Sequence, residues 1–547
     1  MKLYIKSFIF FVLGSLAISC GATDLLLTPV ANIDVIPKKI SELTANEKKS
    51  WGHADLITDT IPGMSLNKAY NDIIGKKKGE TVIVAVVDSG IDLAHEDLDG
   101  VLWKNTDEHP KNGIDDDNNG YVDDIHGYNF LGDSYNEQLE YSRILRLGIG
   151  DAAIQEKAQK KWKEEFPKAL SNKQRYEQIL QSVNLADEAI KKELGKDNYT
   201  EEDLKQISTE DLELQQHVAI LKQMYQYADS IEEVMEELES GVTYFSERAD
   251  YNLNKDFDGR KVVGDDPYDF NSRDYGNGDP QNQVKDESHG THVAGIIAAE
   301  RNNGIGMNGV ANNVKIMAIR AVPNGDEYDK DIALAIRYAT DNGAKIINCS
   351  FGKSFSPNAE WVYDAIRYAA SKDVLIVHAA GNDGKSVDDP NNPNYPNDHQ
   401  FSGSEIANNV ITVGALSATY GSELVAPFSN YGNNNVDVFA PGDDIYATMP
   451  NNEYDYNSGT SMAAPAVSGV AALIRSHYPN LNASQVKNIL MESGLTSKAT
   501  VILNGDTENT KPFSEVSKSG KMVNAYNALI LASKISKGKQ TPTNSKK

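Results

Sequence analysis

Cysteine is almost missing from this chain: its 547 residues contain two, Cys20 and Cys349, so no disulfide framework can brace the fold. Basic residues are in short supply as well. Lysine and arginine number 53 against 79 aspartates and glutamates, a net charge of −26, which repels polyphosphate backbones and anionic membrane surfaces and excludes nucleic acid as a partner. Long apolar runs are confined to one stretch near the N-terminus, Phe8 to Ile18, too short to cross a bilayer as a helix. Internal repeats are lacking too. What is left is a chain long enough for one large domain with an insertion or a small second domain.

The apolar stretch follows Lys2 and Lys6 and leads into Ser19 and Cys20, the layout of an export signal over residues 1–20. In LAISCG, Cys20 stands where a bacterial lipoprotein signal carries its lipidated cysteine, which would hold the chain at the outer membrane or cell surface. Cleavage after Ala22, giving a freely secreted protein, is the other reading. Residues 21–50 are polar and aperiodic, a linker or short pro-segment. Residues 533–547, rich in Lys, Ser, Thr and Gly, read as a disordered basic tail.

Between these ends, short runs rich in β-branched residues alternate with helical patterns. Strands are predicted at Thr81 to Val87, Val314 to Ile319, Lys345 to Cys349, Val374 to His378, Val410 to Val413 and Val436 to Phe439; helices at Asp331 to Asp341 and Glu360 to Ser371. That rhythm implies an α/β fold with a mostly parallel sheet and helices on both faces. Residues 135–250 break it. Apolar side chains there recur at helical spacing from Leu214 to Leu238, with 25 acidic against 15 basic residues and no strand signal. This is an inserted helical subdomain, either an acidic solvated hairpin or a gate beside a substrate cleft.

Four short segments carry chemistry only in combination. The strand TVIVAVV ends in Asp88, at the carboxyl edge where open α/β sheets build their sites; alone it is a capping carboxylate. HGTHVAG starts a small-residue helix with His289 at its head, and His292 falls on its buried side. GTSMAAP places Ser461 at the N-terminus of a buried helix, a site for a cap or for a nucleophile with free N–H groups around it. AAGNDG puts Asn382 in the turn after a strand, its amide able to donate to an oxyanion.

Together, VVDSGIDLAHEDL, HGTHVAG and GTSMAAP resemble the three signatures of the subtilisin-like serine protease family. The resemblance covers Trp51 to about Ala532 outside the insertion. It implies a three-layer fold and a serine endopeptidase in which Ser461 attacks the scissile carbonyl, His289 carries the proton, Asp88 orients the imidazole, and Asn382 with the Ser461 N–H holds the oxyanion. It further implies that Ser350, Phe351 and Gly352, with Ala379, Ala380 and Gly381, line the cleft and pair with an extended protein or peptide substrate. No GxSxG elbow points to an esterase. The rival class is a catalytically silent surface lipoprotein that uses the fold to bind peptides. A monomer without organic cofactor is expected.

Structural calcium is expected at one to three places. IDDDNNGYVDD offers Asp115, Asp117 and Asn119 at alternating positions, then Gly120, Asp123 and Asp124, the oxygen spacing of a calcium loop. NKDFDGRKVVGD repeats it with Asn254, Asp256, Asp258 and Asp265. The family resemblance adds a third, Asp97 with Asn303, where one extra residue precedes the asparagine.

Overall fold

The computed structural model describes residues 27–399 and 404–538; Cys20, the rest of the expected export signal and the last nine residues of the tail lie outside them. Thirteen strands are described: β1 Val82–Asp88, β2 Gly127–Asn129, β3 Val314–Arg320, β4 Ile346–Cys349, β5 Leu375–Ala379, β6 Val410–Leu416, β7 Val438–Pro441, β8 Ile445–Met449, β9 Glu453–Asn457, β10 Leu495–Thr496, β11 Thr500–Leu503, β12 Asp506–Pro512 and β13 Lys521–Met522. Nine of them form one sheet in the order β10-β13-β7-β6-β5-β4-β1-β3-β2. Every neighbouring pair is parallel except β10 with β13.

The central strands are apolar without alternation because both their faces are covered. In β1, Val84 and Val86 point into one core and Ala85 and Val87 into the other. The first core is roofed by α8 His289–Ala298, α11 Thr460–His477, α12 Ala483–Ser493 and α13 Ala525–Ser536; the second by α9 Asp329–Asp341 and α10 Ala359–Ser371. α11 is buried along nearly its whole length. The hairpins β8–β9 and β11–β12 lie outside the sheet.

Both ends of the described chain are more ordered than their composition suggested. The Val30 backbone pairs through N–H and C=O with the Asn527 side chain, Val30 and Ile33 are buried, and α1 Ala45–Ser50 starts with a Thr44–Glu47 capping box. Residues 27–50 therefore lie on the body, Val30 against α13, Asp34 against Tyr420 and Lys498, and α1 against β8; α13 runs on to Ser536 because Ile535 packs into the core.

The insertion is helical: α3 Glu140–Leu147, α4 Ala152–Leu194, α5 Glu201–Gln206, α6 Leu212–Met224 and α7 Ile231–Glu247. Its 43-residue α4 would be roughly 65 Å long. An upper core gathers Val183, Ile190, Leu204, Leu221 and Ile231, and a lower one Tyr141, Ile144, Ala158, Ala169 and Leu253. The foot is clamped to the main body. Glu137 N–H donates to Asn324 O and Asp326 N–H to Gln138 O, while buried Arg143 and Lys353 both reach Glu140 at 2.6 and 2.8 Å.

Candidate active site

β1 ends on Asp88, 1% exposed, level with Arg320 at the end of β3 and one position beyond the Val87–Cys349 pair that ends β4. Its Oδ1 accepts the Ser89 N–H at 2.8 Å and meets His289 Nδ1 at 2.7 Å. Oδ2 is buried with no partner among the described residues. α8 can start this close because its second residue is glycine: a Cβ on Gly290 would collide with the Gly90 carbonyl oxygen. Burial pulls the imidazole of His289 down, but the Asp88 charge and hydrogen bond outweigh it and hold the ring above its ordinary value. Such a partner at Nδ1 fixes the tautomer and leaves Nε2 for chemistry. His292, as read from sequence, is structural: it is buried, faces the Asp455 carbonyl, and is pulled down to about 4 by burial and by His289.

Ser461 sits in the first turn of α11. Its hydroxyl donates to Ser350 O at 2.9 Å, and the Ser350 hydroxyl returns a bond to Ser461 O at 2.8 Å. The serine is thus stitched to the strand end that carries Ser350. Asn382 accepts on Oδ1 from the Thr460 N–H and hydroxyl, both at 2.9 Å. That leaves its Nδ2 pointing away, without a partner among the described residues. The point a side-chain carbon would take on Gly459 lies 3.3 Å from this Nδ2 and 3.6 Å from Ser461 N, so two N–H donors border one small space.

Thr460 escaped the sequence reading, although it stands inside GTSMAAP. Its Oγ1 also accepts the Gly381 N–H at 3.0 Å, tying the nucleophile's helix to the turn that carries Asn382.

Ser350, Phe351 and Gly352 continue β4, and Ala379, Ala380 and Gly381 close β5 and its turn. Phe351 O accepts from His378 Nε2 at 2.9 Å; burial pulls this histidine down to about 4 and keeps it neutral. Asn394 lies between the two walls, donating to Ala379 O at 3.0 Å with its other amide atom against Gly352. Sequence carried no signal for it.

The three calcium readings fare differently. Asp97 is fully buried and receives Asn303 Nδ2 at 2.7 Å and the Met307 N–H at 3.2 Å, so these residues do meet. In the second loop Asn254 Oδ1 accepts the Asp256 N–H at 2.9 Å, and two of the carboxylates have protein cations as partners. Asp265 is bound by Arg260 at 2.6 Å and Lys330 at 2.5 Å, and Asp258 by Arg146 at 3.1 Å; protein cations already neutralise them. In the first loop, Asp115 closes the turn by accepting the Asn119 and Gly120 N–H groups, and Asp123 those of Asn112 and Gly113. Asp117 and Asp124 converge instead on Glu108, their oxygens within 4.8 Å of one another; Asn119 donates to both aspartates rather than joining as a ligand. Burial pushes Asp124 up to about 6.

Relatives of this chain are known. A thermophilic serine proteinase of Bacillus sp. (strain AK1) is 43% identical over 244 residues, 44% of this chain and 52% of that protein. Thermitase of Thermoactinomyces vulgaris is 40% identical over 40% of this chain and 68% of its own length, and subtilisin DY of Bacillus licheniformis is 40% identical over 37% and 68%. The chain thus spans about half of the first relative's length and two thirds of the other two. A solved protease structure from Pseudoalteromonas arctica PAMC 21717 is 32% identical, with a TM-score of 0.37 over 45% of this chain and 70% of that one. The sequence profile of the Subtilase family matches residues 79–515, and the chain belongs to that family.

Proposed function

We propose that this protein is an exported serine endopeptidase that hydrolyses peptide bonds in proteins. The observation that carries the reading is the 2.7 Å contact of Asp88 Oδ1 with His289 Nδ1, in a chain that also sets Ser461 at a buried helix N-terminus and leaves Asn382 Nδ2 without a partner among the described residues.

The chemistry follows from those groups. Ser461 Oγ, swung from Ser350 O, attacks the carbonyl carbon as its proton passes to His289 Nε2. Negative charge then develops on the carbonyl oxygen, where Asn382 Nδ2 and the Ser461 N–H can stabilise it. Collapse breaks the C–N bond, and the proton on Nε2 leaves with the amine. Water repeats the sequence on the acyl-serine with His289 as base, releasing the acid and restoring Ser461. Gly352, Ala379 and Gly381, with small or absent side chains, suit an extended peptide laid between the walls.

Structural calcium would be held at Asp97, a buried carboxylate, with the exposed Asn303 turning its carboxamide oxygen in place of the Nδ2 it gives to Asp97; the ion would brace the loop after α8. Lipidation at Cys20 would keep the enzyme at the outer membrane or cell surface. A serine-directed fluorophosphonate probe tests the central reading. Labelling of the wild type that vanishes in Ser461→Ala supports an enzyme; no labelling of either supports the silent binder.

A further inference from the structure

Two residues before His289, Glu287 is a carboxylate with every acceptor position in use. It is 3% exposed. Oε2 accepts the backbone N–H of Gln283 at 2.5 Å and of Val284 at 3.3 Å, closing the turn that leads into α8. Oε1 meets Arg320, accepting Nε–H at 3.0 Å and a second N–H from Nη2. The turn matters because α8 has no cap of its own: Ser288 stands at the N-cap position, and its side chain accepts no bond from the helix. The direction in which the helix sets out is therefore left to the residue before it.

Arg320 is fully buried at the end of β3, and all five of its N–H groups are engaged. Besides Glu287 they reach Asn129 Oδ1 at 3.1 Å, Gly132 O at 2.9 Å and Ser134 O at 2.6 Å. Its backbone lies opposite Asp88, whose carbonyl accepts the N–H groups of Ala321 at 2.9 Å and Val322 at 3.1 Å. One strand end thus holds both members of the dyad: the main chain of β3 fixes Asp88, and the guanidinium fixes the turn that carries His289. The Ile91 N–H, bonded to Pro280 O at 3.2 Å, closes the same loop over the connection after Asp88. Ser134 donates to Gly259 O at 3.2 Å, so the outgoing leg of the insertion is held by this guanidinium and the returning leg by the outgoing one.

We propose that Glu287 and Arg320 are positioning residues for catalysis, which act through His289 by setting its imidazole against Asp88. The inference rests on the reading of the chain as a serine endopeptidase. A buried Arg–Glu pair is a poor source of stability, since desolvation offsets most of the attraction. It is a good source of geometry: directed N–H bonds from a rigid planar group leave the turn one arrangement. Precision is what the site needs, because a proton passes only between atoms within hydrogen-bond reach, and misplacement by about 1 Å can cost about 100-fold in rate. A pair that served the fold alone would lower stability when broken and leave the dyad as it was.

The test uses the full chain. With one short peptide substrate, Glu287→Gln is expected to lower kcat by about 10- to 100-fold and to leave KM within about twofold. In an Asp88→Asn background the same change is expected to cost less than about twofold, because the dyad it aligns is already broken. Asp265→Asn breaks another buried ion pair, with Arg260 and Lys330, and is expected to lose thermal stability and keep kcat. A second arm needs no turnover. In the Ser461→Ala chain, the Nδ1 proton between His289 and Asp88 is followed by proton NMR as the low-field resonance that Asp88→Asn abolishes. Glu287→Gln is expected to shift or broaden it, and Asp265→Asn to leave it in place. A wild type that cleaves nothing would sink the protease reading, and the resonance would still decide the positioning. If Glu287→Gln fails to fold, Glu287→Asp decides by the same measurements, since it keeps the charge but is one methylene too short to span both the turn and the guanidinium. The proposal is overturned if the folded variant keeps the wild-type kcat, if its loss multiplies in full with that of Asp88→Asn, or if the resonance stays where it was.

Discussion

Asp88 and His289 are 201 residues apart in the chain and 2.7 Å apart in space, a contact made possible by the missing side chain of Gly290. Because Asp88 keeps the imidazole above its ordinary value despite burial, the base becomes neutral only above pH 6.5, and kcat/KM should fall as pH drops through that raised value. In Asp88→Asn the attraction is gone while burial remains, so the acid limb should move below pH 6.5. The rate should also fall by about 10,000-fold, since the tautomer is no longer fixed. An acid limb that stays in place would show that Asp88 does not set the titration of His289.

Asn382 and Thr460 should behave as one unit. Asn382→Ala removes the donor Nδ2 and should lower kcat by about 100- to 1,000-fold with KM nearly unchanged. Thr460→Val removes the hydroxyl that points Asn382 toward the oxyanion space and should cost kcat by a smaller factor. In the double variant the losses should not multiply, because an absent amide needs no positioning. Steady-state kinetics on one peptide substrate measure all three, and multiplicative losses would separate the two roles.

The central strands were legible because burial on both faces leaves a continuous apolar signature, as in VIVAVVD and VITVGAL, and α9 and α10 because their apolar side chains recur at helical spacing. β2, three residues of Gly-Tyr-Asn, and the polar β9, Glu-Tyr-Asp-Tyr-Asn, carry no such pattern and went unread. The site motifs were legible because each keeps its chemistry in a few contiguous residues. Partnerships across the fold were not. Spacing alone made Asp265 a metal ligand, and nothing local reveals that Arg260 and Lys330 fold onto it; Glu108 lies outside the acidic run and so was missed.

Glu327 should make stability depend on pH. It is 2% exposed, and its Oε1 has no partner among the described residues. Burial, reinforced by Asp326 and opposed by Lys353, pushes it up to about 8. In the unfolded chain the carboxyl ionises near 4.5, so from there to about pH 8 the folded state keeps a proton the unfolded state has lost. Stability therefore declines as pH rises through that window. Glu327→Gln removes this slope, so the variant's thermal midpoint should gain on the wild type steadily between pH 5 and 8. A constant difference would mean that Glu327 is ionised throughout. The measurement belongs in the Ser461→Ala background.

The same buried charges say where the insertion can be cut. Removing residues 137–248 would delete Glu140 and Arg143 and leave Lys353, 4% exposed, without one of its two acidic partners, Glu140 and Asp329; loss of such a partner typically costs about 3–5 kcal/mol. Replacing residues 178–239 by a short Gly/Ser link removes the upper core as a unit. It leaves Tyr176 facing Gly241 and keeps the lower core of Tyr141, Ile144, Ala158 and Leu253. That truncation should fold and turn over short peptides within about twofold of the wild type, because no residue of the site touches it. If the tip of the insertion restricts access to the cleft, cleavage of a folded protein substrate should rise in the same variant. Equal rates on both substrates before and after truncation would end the gate reading and leave the insertion a solvated hairpin.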